Sequence, residues 1–579
     1  MKTLFLSLFC LVIAAPAWAE LPYERHGWTQ REAAAHLLAR FSFGAQPGQV
    51  DALAQKGLER WLEEQLTATF PNPTLKAKLG LLPKAYTLSN KEIVALYPQP
   101  GQLLARAKKD GMEVDEDNRR QAVRQAMEQQ GARPQKELGA TLFAQKLYHT
   151  RYSQAQLQEV MTEFWFNHFN VALSNNRARP FLLSYERDAL RPNALGPFRK
   201  LLGKTAKHPA MLWYLDNATS TAGTDAITSL DGMPNSRLKQ RMETRQKGLN
   251  ENYARELLEL HTLGVDGGYS QKDVTETARV LTGWTAVPYQ REAQLKQMAN
   301  RGQALGFVQD GDFMFAAPLH DAGAKKVLGK TFPAGGTQEE GERLLDLVAN
   351  HPSTARHLAK KMAIRFVSDQ PSQALVDKLA LVFQQTGGDT RAMIRAIARS
   401  DEFWQKSQRG SKVKSPLELV VSAARILDAD LQPTAQLYDW LSDMGQPLFN
   451  YQAPTGFPDQ AEAWVSSGTV LQRMNFGLEA ARGGVLGFSY KVQPMGQLKA
   501  VVERLLPAQN AKPVLDKLEP MIKSAGSLTF EKPDKPDGRG NLGGRLPGLD
   551  IRPMVVPPEQ KGAATMIGLV LGSPEFQRR

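Results

Sequence analysis

Apolar residues recur at helical spacing along most of this chain, and alternation with a period of two is scarce. After Thr29-Gln-Arg-Glu32, which reads as a capping box, the run AAAHLLARF carries apolar positions three and four apart until Gly44 offers a stop. A second helix follows across LERWLEEQL, residues 58–66. The same spacing predicts helices over 139–150, 154–171, 181–190, 251–263, 271–282, 338–350, 353–367, 374–385, 390–399 and 416–428. The pattern therefore predicts a mainly α, multi-helical globular protein with long loops and few or no strands.

The breaks between these segments set the organisation. Residues 1–19 read as a signal peptide and 20–66 as an N-terminal helical segment; 67–138 are a charged, proline-rich insertion holding one solvated helix. A helical core spans 139–430, and a C-terminal region spans 431–579, with a Pro/Gly-rich linker at 530–562 before a terminal helix. Residues 215–248 form a long polar loop feeding the helix at 251, and loops of that length in compact domains are usually functional or disordered. Ser573-Pro-Glu-Phe576 echoes Ser400-Asp-Glu-Phe403, each following an apolar helix.

The leader MKTLFLSLFCLVIAAPAWA has one lysine, an apolar run too short to span a bilayer and a small-x-small end, the build of a cleaved secretory signal. The single cysteine, Cys10, lies inside it, so the expected mature chain has no thiol for disulfides, nucleophilic catalysis or zinc. Export places the protein in the periplasm or outside the cell. The formal charge of +13 falls only to +12 when Lys2 is lost, a balance that suits anionic glycans, lipid head groups or cell-wall polymers, or simply solubility. No basic run interleaved with aromatics stands out, and export argues against a nucleic-acid role.

The stretch LNENYARELLELHTLGV changes the picture. On a wheel of roughly 100° per residue, Asn252, Glu256 and Glu259 share an arc of about 60°, while His261 points into the apolar side and reads as a buried structural histidine. SQAQLQEVMTEFWFNHFNVAL repeats the arrangement: a Ser153-x-x-Gln156 capping box, then Glu159, Glu163, Asn167 and Asn170 on one stripe, with His168 on the apolar side. Surface helices usually mix signs, since Glu and Lys at i, i+4 stabilise each other by about 0.2–0.5 kcal/mol. Two stripes without a basic partner, if they face each other across a groove, would crowd carboxylates and set a proton donor beside a base. The alternative is two ordinary solvated faces.

Other constellations are thinner. APLHDAGAKKVLGKTF sets His320-Asp321 near Lys325, Lys326 and Lys330, and HPSTARHLAKKMAIRF contains His351 and His357, which read as closing and packing a helix. No Gly-x-Ser-x-Gly elbow, His-Glu-x-x-His, phosphate loop or dinucleotide fingerprint is present.

Taken in order, AAHLLARFSFG, GLERWLEEQL, FWFNHFNV, NENYARELLELHTLGV, YSQKDVTETARVLTGW, FAAPLHDAGAKKVLGKTF, HPSTARHLAKKMAIRF, MGQPLF with PTGFP, and the final SPEF resemble the large bacterial group of exported proteins catalogued as domain of unknown function 1800. The resemblance implies a mostly helical exported protein, often encoded beside a partner that looks like a secreted phosphatase or sulfatase. It brings no established activity and no catalytic residues. NYQAPTGFPDQAEAW departs from the Pro-Pro-Asn and Gly-Trp-Pro pattern associated with the group, although Trp464 lies close by.

Two expectations follow. In the first, the protein is a carboxylate-dependent hydrolase or lyase acting on a polysaccharide or cell-envelope polymer. Glu163 or Glu256 is then the general acid and Glu259 an auxiliary base or electrostatic stabiliser, Asn167 and Asn252 orient substrate, Trp165 and Trp284 are either stacking platforms or core residues, and Arg255, His320 and Asp321 complete the binding set. In the second, it is a non-catalytic helical scaffold or accessory protein that binds an exported phosphatase-like partner or an envelope polymer, its acidic stripes paired with arginines such as Arg255 and Arg279. A third reading is a metalloprotein built on His320, Asp321 and a glutamate; no metal ligand is assigned and the cofactor is left unknown. The enzyme needs Glu163, Glu256 and Glu259 to converge on an open groove, whereas the scaffold needs each carboxylate paired and covered.

Overall fold

Thr29 Oγ1 accepts a hydrogen bond from Glu32 N at 3.2 Å and Glu32 Oε2 accepts one from Thr29 N at 3.0 Å, so the first long helix starts at the expected capping box. The computed structural model describes residues 20–222, 248–289, 306–492, 498–507, 511–524 and 551–579. The leader 1–19, most of the 215–248 loop and the first part of the 530–562 linker lie outside the described residues.

The elements used below are α1 (Gln30–Phe41), α2 (Lys136–Tyr152), α3 (Gln156–His168), α4 (Asn252–Glu256), α5 (Pro352–Phe366), α6 (Pro416–Ile426), α7 (Ser467–Arg482) and α8 (Lys561–Gly572). Two π-helical turns join them, π1 (Tyr185–Leu190) and π2 (Leu257–Thr262), the latter continuing α4 without a break. The protein is mainly α, and a continuous hydrophobic core runs from Leu21 to Phe576. α2 and α3 are buried almost all round, as the apolar runs through Leu138–Tyr148 and Leu157–Phe166 require. Each fully buried Leu or Phe in them is worth about 1.5–3 kcal/mol in water exclusion.

Three details differ from the sequence pattern. α3 begins at Gln156 with Ala155 at its N-cap, not at a Ser153 capping box, because the Gln156 amide donates to Thr150 O (3.0 Å) and Ser153 O (2.8 Å) at the end of α2. The 67–138 insertion holds four α-helices, Pro73–Leu79, Asn90–Leu96, Pro100–Lys109 and Arg119–Gln129, rather than one. Ile93 and Tyr97 join the main core, while Leu103, Ala107 and Ala126 form a satellite core whose small alanines left little apolar signal.

The strands are short. β1 (Trp284–Ala286), β2 (Phe307–Asp310) and β3 (Phe313–Ala316) form an antiparallel sheet in the order β1-β3-β2, with Trp284 opposite Phe315 and Phe307 opposite Ala316. β4 (Lys325–Val327) and β5 (Lys330–Phe332) make a hairpin whose turn residues Leu328 and Gly329 both have positive φ, 47° and 78°, as a type I′ turn demands.

Near the C-terminus, α7 crosses α8 at glycines: a Cβ on Gly477 would lie 2.7 Å from Gly572 N, so only glycine permits this approach. The chain then runs back beside 412–414, with Lys414 N donating to Gln577 O (2.9 Å) and Arg579 N to Lys412 O (2.8 Å). The two echoed motifs make the same turn, Phe403 N donating to Ser400 Oγ and Phe576 N to Ser573 Oγ, each at 3.3 Å. Among the described residues no helix is long and apolar enough to cross a membrane.

Candidate functional site

The acidic stripe of α3 points inward, onto cations supplied by other helices. Glu159 accepts from Arg191 Nε at 3.0 Å and lies 3.1 Å from His149 Nδ1. Burial alone would raise its carboxyl, but Arg191 and His149 hold it down to about 2. Arg191 Nη2 continues to Glu186 at 2.6 Å, and Lys146 Nζ lies 2.7 Å from Glu186 and 2.6 Å from Glu163. Lys146 is 2% exposed and Glu163 12%, and the ammonium sits over the rings of Phe166 and Phe449 at 5.3 and 5.5 Å. The result is an alternating buried chain, Glu159, Arg191, Glu186, Lys146, Glu163. The first π-helical turn places Glu186 at its centre, fully buried.

The asparagines of the stripe hold the segment after α6. Asn167 accepts from Phe457 N at 3.3 Å, and Asn170 donates to Tyr451 O (3.0 Å) and Ala453 O (2.7 Å). Gly456, at φ +69°, lies so close that a Cβ there would stand 2.1 Å from Asn167 O. Phe449, also at positive φ (64°), accepts from Leu173 N at 2.6 Å, a costly left-handed conformation for an aromatic residue. The aromatic residues of this segment, Tyr451, Phe457 and Trp464, pack in series at 4.7 and 5.8 Å.

Glu256 and Glu259 lie apart from that network. Both are half-buried; burial and the neighbouring Glu259 raise the Glu256 carboxyl, with Arg255 opposing. Glu259 accepts from Tyr269 OH at 3.4 Å, and Asn252 is exposed. Arg255 reaches Glu251 (3.4 Å) and Gln271 (2.9 Å) instead of either stripe, and Arg279 binds Glu276 and Asp321, so neither arginine takes the partner role expected of it. The i→i+5 bond from Leu263 N to Leu258 O (2.9 Å) marks the extra residue per turn that shifts this helix from the α phase of the wheel.

The two helices do meet, through their histidines rather than their carboxylates. His168 Nε2 donates to His261 O at 3.0 Å, and His168 Nδ1 accepts from Lys361 Nζ at 3.0 Å. His357 Nε2 donates to Leu260 O at 3.2 Å. Burial, then the Lys361 charge, drives His168 well below its ordinary range and takes His261 to about 3 and His357 to about 4. Burial likewise lowers Lys361 to about 8, with Asp459 opposing. His261 is buried as expected, but its Nε2 has no hydrogen-bond partner among the described residues.

The remaining predicted residues are structural in their contacts. Trp165 is 1% exposed and donates to Ala194 O at 2.8 Å; Trp284 is buried against Phe313 and Gly341. Neither ring is open at the surface. His320 Nδ1 donates to Thr282 O (2.8 Å) while Nε2 lies 3.2 Å from Glu340, which also takes Lys325 at 2.6 Å. Asp321 accepts twice from Arg279, at 2.8 and 3.1 Å, and from Gly323 N. No group of three or more His, Cys, Asp and Glu side chains among the described residues is arranged to hold a metal ion. Lys146, Glu186, Arg191 and Lys361 escaped the sequence reading, since each pairs across a separation of at least five residues that no single wheel displays.

A mainly helical architecture, with one π-helical turn on a buried ionic chain and another at a histidine cluster among the described residues, is what this sequence builds, and it has a family. The chain belongs to the group described as protein of unknown function (DUF1800), whose profile matches residues 36–578. No curated protein and no solved structure matches it.

Proposed function

We propose that the protein is an exported, non-catalytic helical scaffold or accessory protein, which binds an exported phosphatase- or sulfatase-like partner or an envelope polymer. One observation carries this reading: Glu159 and Glu163 are paired with buried cations and Asn167 and Asn170 are bound to backbone, so α3 has no free acid, base or substrate-orienting amide on its stripe. Its carboxylates build the fold instead of opening to a groove. The leader supports export, and the positive net charge of +13 suits an anionic partner surface.

The hydrolase or lyase reading keeps one supporting observation, the raised Glu256 carboxyl beside Glu259. Product release from a panel of envelope and extracellular polysaccharides, with wild type, Glu163→Gln and Glu256→Gln compared, separates the two. The scaffold reading expects binding without product, equal in all three proteins. Product from wild type that disappears in Glu256→Gln would overturn it.

A further inference from the structure

An open cleft lies between α1, α6 and the chain near 505–507 and 575–579. Its lining is mainly apolar, with Ala39, Phe43, Ile426, Leu505 and Phe576, and includes Glu575, which takes Lys517 at 3.3 Å. Its floor carries Lys414 and Arg579, which are 9% and 3% exposed, above Glu418.

The charges behind this floor do not balance. Glu418 takes Arg365 at 2.7 Å and Arg579 at 3.1 Å, and the same two arginines reach Asp459 at 3.4 and 3.7 Å. Asp369 takes Lys412. Those three carboxylates are then used, yet Arg40, Arg473 and Lys414 belong to the same electrostatic cluster. Arg40 donates to Val367 O (3.1 Å) and Ser411 Oγ (2.9 Å), and Arg473 to Lys414 O (2.7 Å) and Gln577 Oε1 (2.9 Å), all neutral oxygens.

Lys414 is the most open of the three. Its ammonium lies 3.8 Å from the centre of the Phe576 ring and has no hydrogen-bond acceptor among the described residues. Arg579 Nη1 also lacks a hydrogen-bond partner. Burial lowers Lys414 to about 7, with Glu418 opposing and Arg473 and Arg579 adding to the fall. Cation and apolar wall thus meet in one concave space.

We propose that this cleft binds a small amphiphilic organic anion, with a carboxylate or phosphate head between Lys414 and Arg579 and a short hydrocarbon body against Phe43, Ile426, Leu505 and Phe576. The head supplies the missing negative charge through charge-assisted hydrogen bonds. The apolar walls disfavour a fully hydrated inorganic ion, and the two cations disfavour a neutral alcohol of the same length. The cleft uses none of the residues of α3, so the proposal stands or falls independently of the scaffold reading.

Calorimetric titration of the full mature chain with octanoate, octyl phosphate, octanol and inorganic phosphate tests it. Either amphiphilic anion is expected to bind saturably, and about tenfold or more tighter than octanol or inorganic phosphate. Lys414→Met, which removes an uncompensated buried charge and should fold, is expected to cost at least about tenfold in affinity. Ala39→Phe, which fills the cleft without touching a charge, is expected to abolish binding. No saturable binding of either amphiphile up to about 10 mM, a site ordinarily too weak to matter, would overturn the proposal. So would binding that survives both substitutions, or inorganic phosphate binding as tightly as the amphiphiles.

Discussion

Lys361 Nζ donates to Nδ1 of His168, 3.0 Å away, and that bond requires the imidazole to be neutral while the lysine keeps a proton to give. Because His168 Nε2 is committed to His261 O, the tautomer is set and the ring can accept at Nδ1 alone. A lysine that would ordinarily seek a carboxylate is thus bound to a histidine at the junction of α3, α5 and the second π-helical turn.

Lys361 releases its proton more readily in the folded state, at about 8, than in the unfolded chain, near 10.4. Between these values the unfolded chain binds more protons, so stability rises with pH there. Lys414, at about 7, acts in the same direction from a lower starting point. Urea midpoints measured from pH 7 to 9.5 are expected to rise, and the rise should shrink in Lys361→Met and again in the double variant with Lys414→Met. An unchanged slope in both variants would assign it to other groups.

The histidines act at the other end of the scale. His261 and His357, at about 3 and 4 when folded, take up protons near 6.5 when unfolded, so the stability present above pH 6.5 is lost as the pH falls toward about 4. His261→Leu removes a buried nitrogen that has no partner, while leaving the carbonyl that His168 uses. Its cost at pH 7 is expected to be below about 1 kcal/mol, with a smaller midpoint loss between pH 7 and 5 than wild type.

Lys146 is the cation between two buried carboxylates, and Lys146→Met leaves Glu163 and Glu186 facing each other. Removing one partner of a buried ion pair typically costs about 3–5 kcal/mol. Denaturant unfolding should show a loss of that order, and adding Glu186→Gln should recover part of it. Additive losses in the double variant would argue against a connected chain.

At Gly456, any Cβ collides with Asn167 O and the backbone is left-handed, so Gly456→Ala should displace the segment carrying Tyr451 and Phe457. The expected cost exceeds about 1 kcal/mol, and limited proteolysis should cut between residues 450 and 464 faster than in wild type.

The helices were legible because the 3.6-residue rhythm is local: Thr29 and Glu32 announce a start from four residues of sequence, and the Leu157–Phe166 stripe reports its own burial. The site was legible only in part. Glu163 and Asn167 lie on one face, but what that face meets comes from other elements: Lys146 from the preceding helix, Arg191 from the turn after π1 and Phe457 from a loop far along the chain. Absence of a lysine within the stripe was a true signal with another meaning, since the compensating charge arrives from a neighbouring helix. The second π-helical turn stayed hidden for a different reason: one surplus residue barely disturbs an i, i+3, i+4 pattern, yet it shifts the phase of the helix beyond it.

That surplus residue gives the helix a count-dependent register. Shortening Leu257–Thr262 by one position would restore an ordinary helix and rotate everything beyond it by roughly 100° relative to the residues before. His261 would leave its seat beside His168, and Gly264, left-handed at φ +89° and so close to His357 that a Cβ there would lie 3.0 Å from its Nδ1, would lose its place beside that ring. Homologous chains of this shape can therefore exchange side chains freely along the helix and still be unable to drop a single link from it, so insertions and deletions in relatives should fall outside this stretch.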